Sequence, residues 1–261
     1  MSASAPSFTA HNVCLDDGRW TLPSAERLVD SAWFRAARRV IDLVYPDGPA
    51  GRSLVDLGCL EGGYAREFAR LGFDALGIEA RTSNFAACEA VRAGTHLQAP
   101  AALRYVQDDV RHLAEHAGPT GAFDVTWCCG LFYHLDEPNS FLKLLGRLTR
   151  RVLILNTHFA PPRDEPYLSP LLQHDGARGR WYREFADGTA LEAQEQSRWA
   201  SWGNEQSFWM TRESILQTMS DGGFTTVFEQ YDPLAPAIAE SMTTGAYAQH
   251  HRGVFVGIKS A

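Results

Sequence analysis

Val55-Asp56-Leu57-Gly58-Cys59-Leu60-Glu61-Gly62-Gly63-Tyr64 carries a short apolar strand, residues 53–57, into a helix through a turn bearing Gly58 and Gly62. A glycine has no Cβ, so a ligand can lie against the backbone and the turn can adopt positive φ. A strand, a glycine turn and a helix in this order hold a nucleotide cofactor beyond the carboxyl ends of the strands. A dinucleotide asks for G-x-G-x-x-G, with its pyrophosphate on the helix N-terminus. Leu60 stands where the second glycine of that pattern belongs, and two carboxylates, Asp56 and Glu61, flank the turn.

Those carboxylates would repel a pyrophosphate. They suit a cofactor that presents cations, and S-adenosyl-L-methionine carries an ammonium and a sulfonium. The spacing outward agrees. Glu79 lies at the end of the second apolar run, where a carboxylate accepts from both ribose hydroxyls. Asp108-Asp109-Val110 follows the third run. There Asp109 is expected to accept from the adenine amine and the Val110 N–H to donate to a ring nitrogen, with Asp108 the competing side chain.

Around this turn, strands and helices alternate. Apolar runs at 53–57, 75–78, 103–106, 123–128 and 152–155 are separated by helical patterns near 62–71, 82–93 and 138–148. Such alternation predicts parallel strands joined by crossover helices. Thr211 starts a further helix ending at Gly222-Gly223, and residues 224–231 and 254–259 complete seven strands. The expected fold is α/β, a Rossmann-like doubly wound and mostly parallel sheet. Residues 1–50 read as a helical entry segment, with Pro23-Ser24 before its start. Residues 51–156 read as the cofactor-binding core and 210–261 as the rest of the sheet. Residues 157–209 break the rhythm for too long to be a structureless loop. They hold Trp181, Trp199, Trp202 and Trp209, four of the seven tryptophans, and read as an inserted aromatic-rich cap. Its aromatics either line an acceptor pocket or form its own core.

The motifs Asp56–Gly62, Glu79, Asp109 and Phe123-Asp124-Val125, in this order, resemble those of class I S-adenosylmethionine-dependent methyltransferases over about residues 50–155. The resemblance implies methyl transfer and places the backbone of Cys129 against the methionine part of the cofactor. Gly130-Leu131-Phe132-Tyr133-His134 and Gly77-Ile78-Glu79-Ala80-Arg81 with Asn84 are similar to tRNA wobble-uridine carboxymethyltransferases and to related enzymes of natural-product and sugar pathways.

Methyl transfer is an in-line displacement that often requires removal of a proton. An imidazole serves near neutral pH. His134 after the fourth strand and His158 after the fifth are the candidate bases, each with the alternative of a loop-holding histidine. The expected reaction is O-methylation of a small-molecule acceptor. The alternatives are a tRNA-modifying (carboxy)methyltransferase and a non-catalytic nucleotide-binding module. With 31 acidic against 24 basic residues, net −7, the chain lacks the positive balance of a nucleic-acid binder. Five cysteines without a CxxC support neither a disulfide framework nor a zinc site. His112 and His116 have helical metal-ligand spacing but no third partner, and the adjacent His250-His251 would diverge on a strand, so no metal is expected. No apolar run is long enough for a membrane span, and the first residues lack a signal peptide's features. A cytoplasmic setting is the expectation, and the oligomeric state is left open.

Overall fold

The computed structural model describes residues 6–23, 25–231, 238–244 and 251–260. Ser24 and His250, both singled out above, lie outside the described residues. The chain divides into two compact units, residues 1–116 with 123–127, and residues 117–122 with 128–261.

In the first unit, β1 (Ser53–Leu57) leads into α2 (Gly63–Arg70), which follows α1 (Ala32–Val44) in the chain. Next come β2 (Asp74–Glu79), α3 (Thr82–Ala93) and β3 (Ala102–Gln107). β1, β2 and β3 pair in parallel, with Leu57 opposite Ile78 and Glu79 opposite Gln107. Leu54, Val55, Leu57, Ala75 and Ile78 are fully buried. Near-continuous apolar strands of this kind are what a sheet covered on both faces requires. Phe34, Phe68 and Trp127 pack edge to face or tilted over it.

The entry segment differs from expectation. Its helix begins only at Ala32, where the Ser31 hydroxyl accepts the Phe34 N–H at 3.3 Å. Before it, residues 8–21 form an extended strap and a small hairpin, with Thr21 N–H bonded to Val13 O and a bridge between Cys14 and Trp20. Leu28, ahead of that helix, lies in a single 3-10 turn, Leu28–Asp30.

β4 (Phe123–Cys129) contributes Phe123–Trp127 to the first unit and Cys128-Cys129 to the second. In the second unit lie α4 (Pro138–Leu148), β5 (Thr149–His158), β6 (Leu172–His174), β7 (Ala177–Arg183), α5 (Leu191–Gln196) and β8 (Gln206–Met210). They are followed by α6 (Arg212–Asp221), β9 (Thr226–Gln230), α7 (Ile238–Thr244) and β10 (Arg252–Ile258). The seven-stranded sheet has the order β3-β2-β1-β4-β5-β10-β9. β10 runs antiparallel to both β5 and β9, with Arg252 opposite His158. The aromatic-rich segment builds its own antiparallel sheet, β6-β7-β8. Among the described residues no helix is long and apolar enough to cross a membrane.

Candidate active site

The turn after β1 is left-handed at three places, Gly58 (φ 63°), Leu60 (φ 52°) and Gly62 (φ 76°). A Cβ on Gly62 would stand 2.6 Å from the Tyr105 ring, whose hydroxyl donates to Gly62 O at 2.6 Å. This turn therefore needs glycine for both conformation and space. The carboxylates around it are engaged by the protein itself. Asp56 accepts the Ala65 N–H at 3.0 Å. Burial, with the negative Glu79 nearby, pushes Asp56 up to about 8 despite that bond. Glu61, fully buried, accepts the N–H groups of Thr9, Ala10 and His11 at 2.5, 3.1 and 2.9 Å and the Thr9 hydroxyl at 2.8 Å. These bonds tie the strap over residues 9–11 to the turn. The expectation that Asp56 and Glu61 present two open negative charges is thus corrected: one is largely protonated at neutral pH and the other is wrapped in backbone donors.

His11 was not foreseen. It is buried, and its Nδ1 accepts the Gly63 N–H at 3.0 Å, at the first position of α2. Burial holds it neutral, lowering it to about 4 although Glu61 opposes the shift. No sequence spacing links residue 11 to residue 63.

Glu79 stands at the end of β2, 6% exposed. Its Oε2 accepts Leu60 N–H at 2.9 Å, and its Oε1 accepts Arg81 N–H at 2.9 Å and Asn84 Nδ2 at 3.4 Å. Burial raises its pKa. Beside it the buried Asn84 Oδ1 has no partner. Buried polar atoms are nearly always satisfied, so a ligand hydroxyl or amine fits there. Asp108 is committed elsewhere. Its two oxygens meet His112 Nδ1 at 2.8 Å and His116 Nε2 at 2.7 Å, and these bonds hold it down to about 2. Asp109 accepts from Arg111 at its N–H and guanidinium, both 2.9 Å. Val110 opens a 3-10 segment with its side chain buried. Cys129, half-buried, closes β4.

In the second unit, His134 ends a 3-10 turn, Phe132–His134. Its Nδ1 lies 2.7 Å from Glu184 Oε1, and Glu184 has a side chain only 2% exposed. Ser207 Oγ donates to the same oxygen, and the Ser201 N–H donates to Oε2 at 3.1 Å. A carboxylate only accepts, so the imidazole carries a proton on Nδ1. The loop is gripped along its length. The carbonyls of Tyr133, His134, Leu135 and Asp136 accept in turn from Trp209 Nε1, Asn204 Nδ2, Phe208 N–H and His174 Nε2, at 2.8–3.0 Å. Sequence reasoning named His134 as a candidate but missed Glu184, fifty residues away and just past the end of β7.

His158 ends β5, stacked on Trp209 (4.9 Å, 15°) and edge-on to Tyr133 (4.6 Å). Tyr182 also stacks on Trp209, at 5.0 Å. Burial, then the positive Arg252, brings His158 down to about 4. An imidazole that resists protonation this strongly makes a poor proton acceptor and a good neutral hydrogen-bonding group. A cavity of about 640 Å³ opens in this unit beside Tyr167, Trp181, Tyr182, Glu184 and Phe185, a volume that holds a small molecule.

Residues 55–152 match the methyltransferase-domain family. The ubiquinone biosynthesis O-methyltransferase of Cronobacter sakazakii (strain ATCC BAA-894) is 30% identical over 160 residues, 58% of this chain and 62% of its own. That of Psychrobacter cryohalolentis is 35% identical over 101 residues, 39% of this chain and 38% of its own. The chain therefore spans less than two thirds of the length of these relatives. Among solved structures, the N-terminal domain of EvdMO1 with S-adenosylhomocysteine bound shares the fold with a TM-score of 0.60 at 23% identity, over 88% of this chain and 82% of that one. An S-adenosylmethionine-dependent methyltransferase from Mesorhizobium loti shares it with a TM-score of 0.54 at 16% identity, over 88% and 99%.

Proposed function

We propose, from the match of residues 55–152 to the methyltransferase-domain family, that the chain is an S-adenosylmethionine-dependent enzyme that methylates an oxygen of a small-molecule acceptor in a cytoplasmic setting. The family match and the O-methyltransferase relatives support the reaction class. The observation that carries the choice of oxygen is the His134–Glu184 pair at 2.7 Å.

The residues present fit the cofactor. The left-handed glycine turn at Gly58 and Gly62 would take the methionine part. Glu79 and the unpartnered Asn84 Oδ1 receive ribose hydroxyls, and Asp109 and Val110 take the adenine edge. What the bound cofactor supplies is an electrophilic methyl group on sulfur, which leaves as a neutral thioether. His134 Nε2 would take the proton of an acceptor hydroxyl. Glu184 keeps Nδ1 protonated and stabilises the imidazolium that results. His158, held neutral, orients the acceptor. The segment 157–209 serves as the acceptor-side insertion, because it supplies Glu184 and Trp209. The acidic balance of the chain, net −7, favours a small molecule over a nucleic acid.

The test is release of S-adenosylhomocysteine from S-adenosylmethionine over a panel of hydroxylated small molecules, with calorimetric titration of S-adenosylhomocysteine alongside. Turnover with at least one hydroxyl and none with its methyl ether is expected. Absence of S-adenosylhomocysteine binding overturns the reading.

A further inference from the structure

Three buried nitrogens without any partner gather where β5 meets β10: Asn156 Nδ2, His158 Nδ1 and His251 Nδ1. Asn156 and His158 are two apart on β5 and share one face of the sheet. Arg252 is the cross-strand partner of His158. The side-chain amide of Asn156 cannot turn freely. Its Oδ1 accepts from Arg252 Nε at 3.0 Å and Nη2 at 2.7 Å. Those bonds fix Nδ2 as a donor with nothing to donate to, on a residue that is 0% exposed. The His158 and His251 rings lie 5.7 Å apart, and Trp209 stacks on both, at 4.9 and 6.2 Å. Arg252 stands over the Tyr133 ring at 5.8 Å.

Buried polar atoms are nearly always satisfied, so three unpartnered nitrogens in one place mark a site built for an oxygen-rich group. The sign of the local field says which kind. The Arg252 guanidinium, held against Asn156 Oδ1, places a positive charge beside these nitrogens. The nearby Glu184 carboxylate is held by His134, Ser207 and the Ser201 amide. The edge of the Trp209–His158 stack and the Tyr133 ring set edge-on to His158 make the surroundings aromatic.

We propose that Asn156, with His158 and His251, forms an anion-recognition subsite that selects acceptors carrying a carboxylate on an aromatic ring. This rests on the methyltransferase reading above and goes beyond it by naming the acceptor class. The Asn156 amide donates to one carboxylate oxygen. The two imidazoles, as Nδ1–H tautomers, donate to the other.

The experiment titrates the full chain, saturated with S-adenosylhomocysteine, with 3,4-dihydroxybenzoate, its methyl ester and catechol. Charge-assisted hydrogen bonds of this number predict that the acid binds about tenfold or more tighter than the ester. Asn156→Asp can still accept from Arg252 but presents a negative charge to the ligand. It should abolish the acid's advantage while leaving ester and catechol affinity within about twofold. Asn156→Leu should do the same, and a thermal melt checks that each variant folds. Equal affinity of acid and ester in the wild type overturns the subsite, as does failure of all three to bind, or an acid preference retained in both variants. If the acid binds with the expected preference but addition of S-adenosylmethionine yields no methylated product, the O-methylation reading fails and the subsite stands.

Discussion

The turn after β1 and the loop after β4 both place carboxylates beside polar partners, and they use them for opposite ends. Around the first turn, Asp56, Glu61 and Glu79 accept from backbone amides: one at Ala65, three at residues 9–11, and two at Leu60 and Arg81. Amides do not titrate, so these bonds fix shape. They hold the turn, the start of α2 and the strap in one geometry. After β4, Glu184 accepts instead from an imidazole. Histidine does titrate near neutrality, so the same acceptor chemistry there sets a tautomer and a proton.

If the loop holds the base, its loss dominates every other effect. His134→Ala should lower kcat by roughly 10²–10⁴-fold, the usual range for a general base. S-adenosylhomocysteine affinity should stay nearly unchanged by calorimetry. A kcat within threefold of wild type would make His134 a structural residue and remove the contrast. Next in size, Glu184→Gln replaces a charged acceptor with a neutral amide of the same shape. The loss expected is about 1.5–3 kcal/mol of transition-state stabilisation, appearing in kcat rather than in KM. Nitrogen-15 spectra of the His134 ring give the independent readout. The wild type should show the Nδ1–H tautomer and the variant a shift toward Nε2–H.

The legibility of the two regions differs for a physical reason. β1, its turn and α2 lie within 18 residues, so strand period, glycines and helix pattern can be seen together at residues 53–70. The alternation of strands and helices through β5 was readable for the same reason, because each βα unit is local. The strap and Glu184 were not. His11 meets Gly63 and Glu184 meets His134 through contacts fifty or more residues apart, and no periodicity encodes such a meeting. Charge was read too simply as well. A carboxylate in the sequence was counted as an open negative charge, whereas burial protonates Asp56 and backbone donors enclose Glu61. The selection against phosphates inferred from those two charges therefore lacks its stated cause, and the cofactor reading leans instead on Glu79, Asn84 and the glycine turn.

The shape-building region has its own sharp tests. Gly62→Ala places a methyl group 2.6 Å from the Tyr105 ring at a φ of 76°. Strain at such a position costs about 1–3 kcal/mol, read as a lower denaturation midpoint and weakened cofactor binding together. Glu79→Ala should weaken S-adenosylmethionine binding by roughly 1–3 kcal/mol through the polar partners it leaves unpaired. Its fold should be largely retained, which separates a ligand-binding carboxylate from Glu61. Unchanged affinity would withdraw the ribose assignment.

The smallest effect separates shape from chemistry by pH. His11 is lowered from 6.5 to about 4 in the folded chain by burial. The unfolded chain therefore binds more protons between those values. The contribution of His11 is fully present above about pH 6.5 and is lost as pH falls toward 4, at about 1 kcal/mol per pH unit within the window. His158 shifts the same way, so the wild type alone does not isolate His11. His11→Gln does, because the glutamine oxygen can still accept the Gly63 N–H without titrating. Urea unfolding at pH 7.5 and 5.5 should show the wild type losing about 1 kcal/mol more than this variant over the interval. Equal losses would mean that His11 is not held neutral at the start of α2, and that the strap is fastened by Glu61 alone.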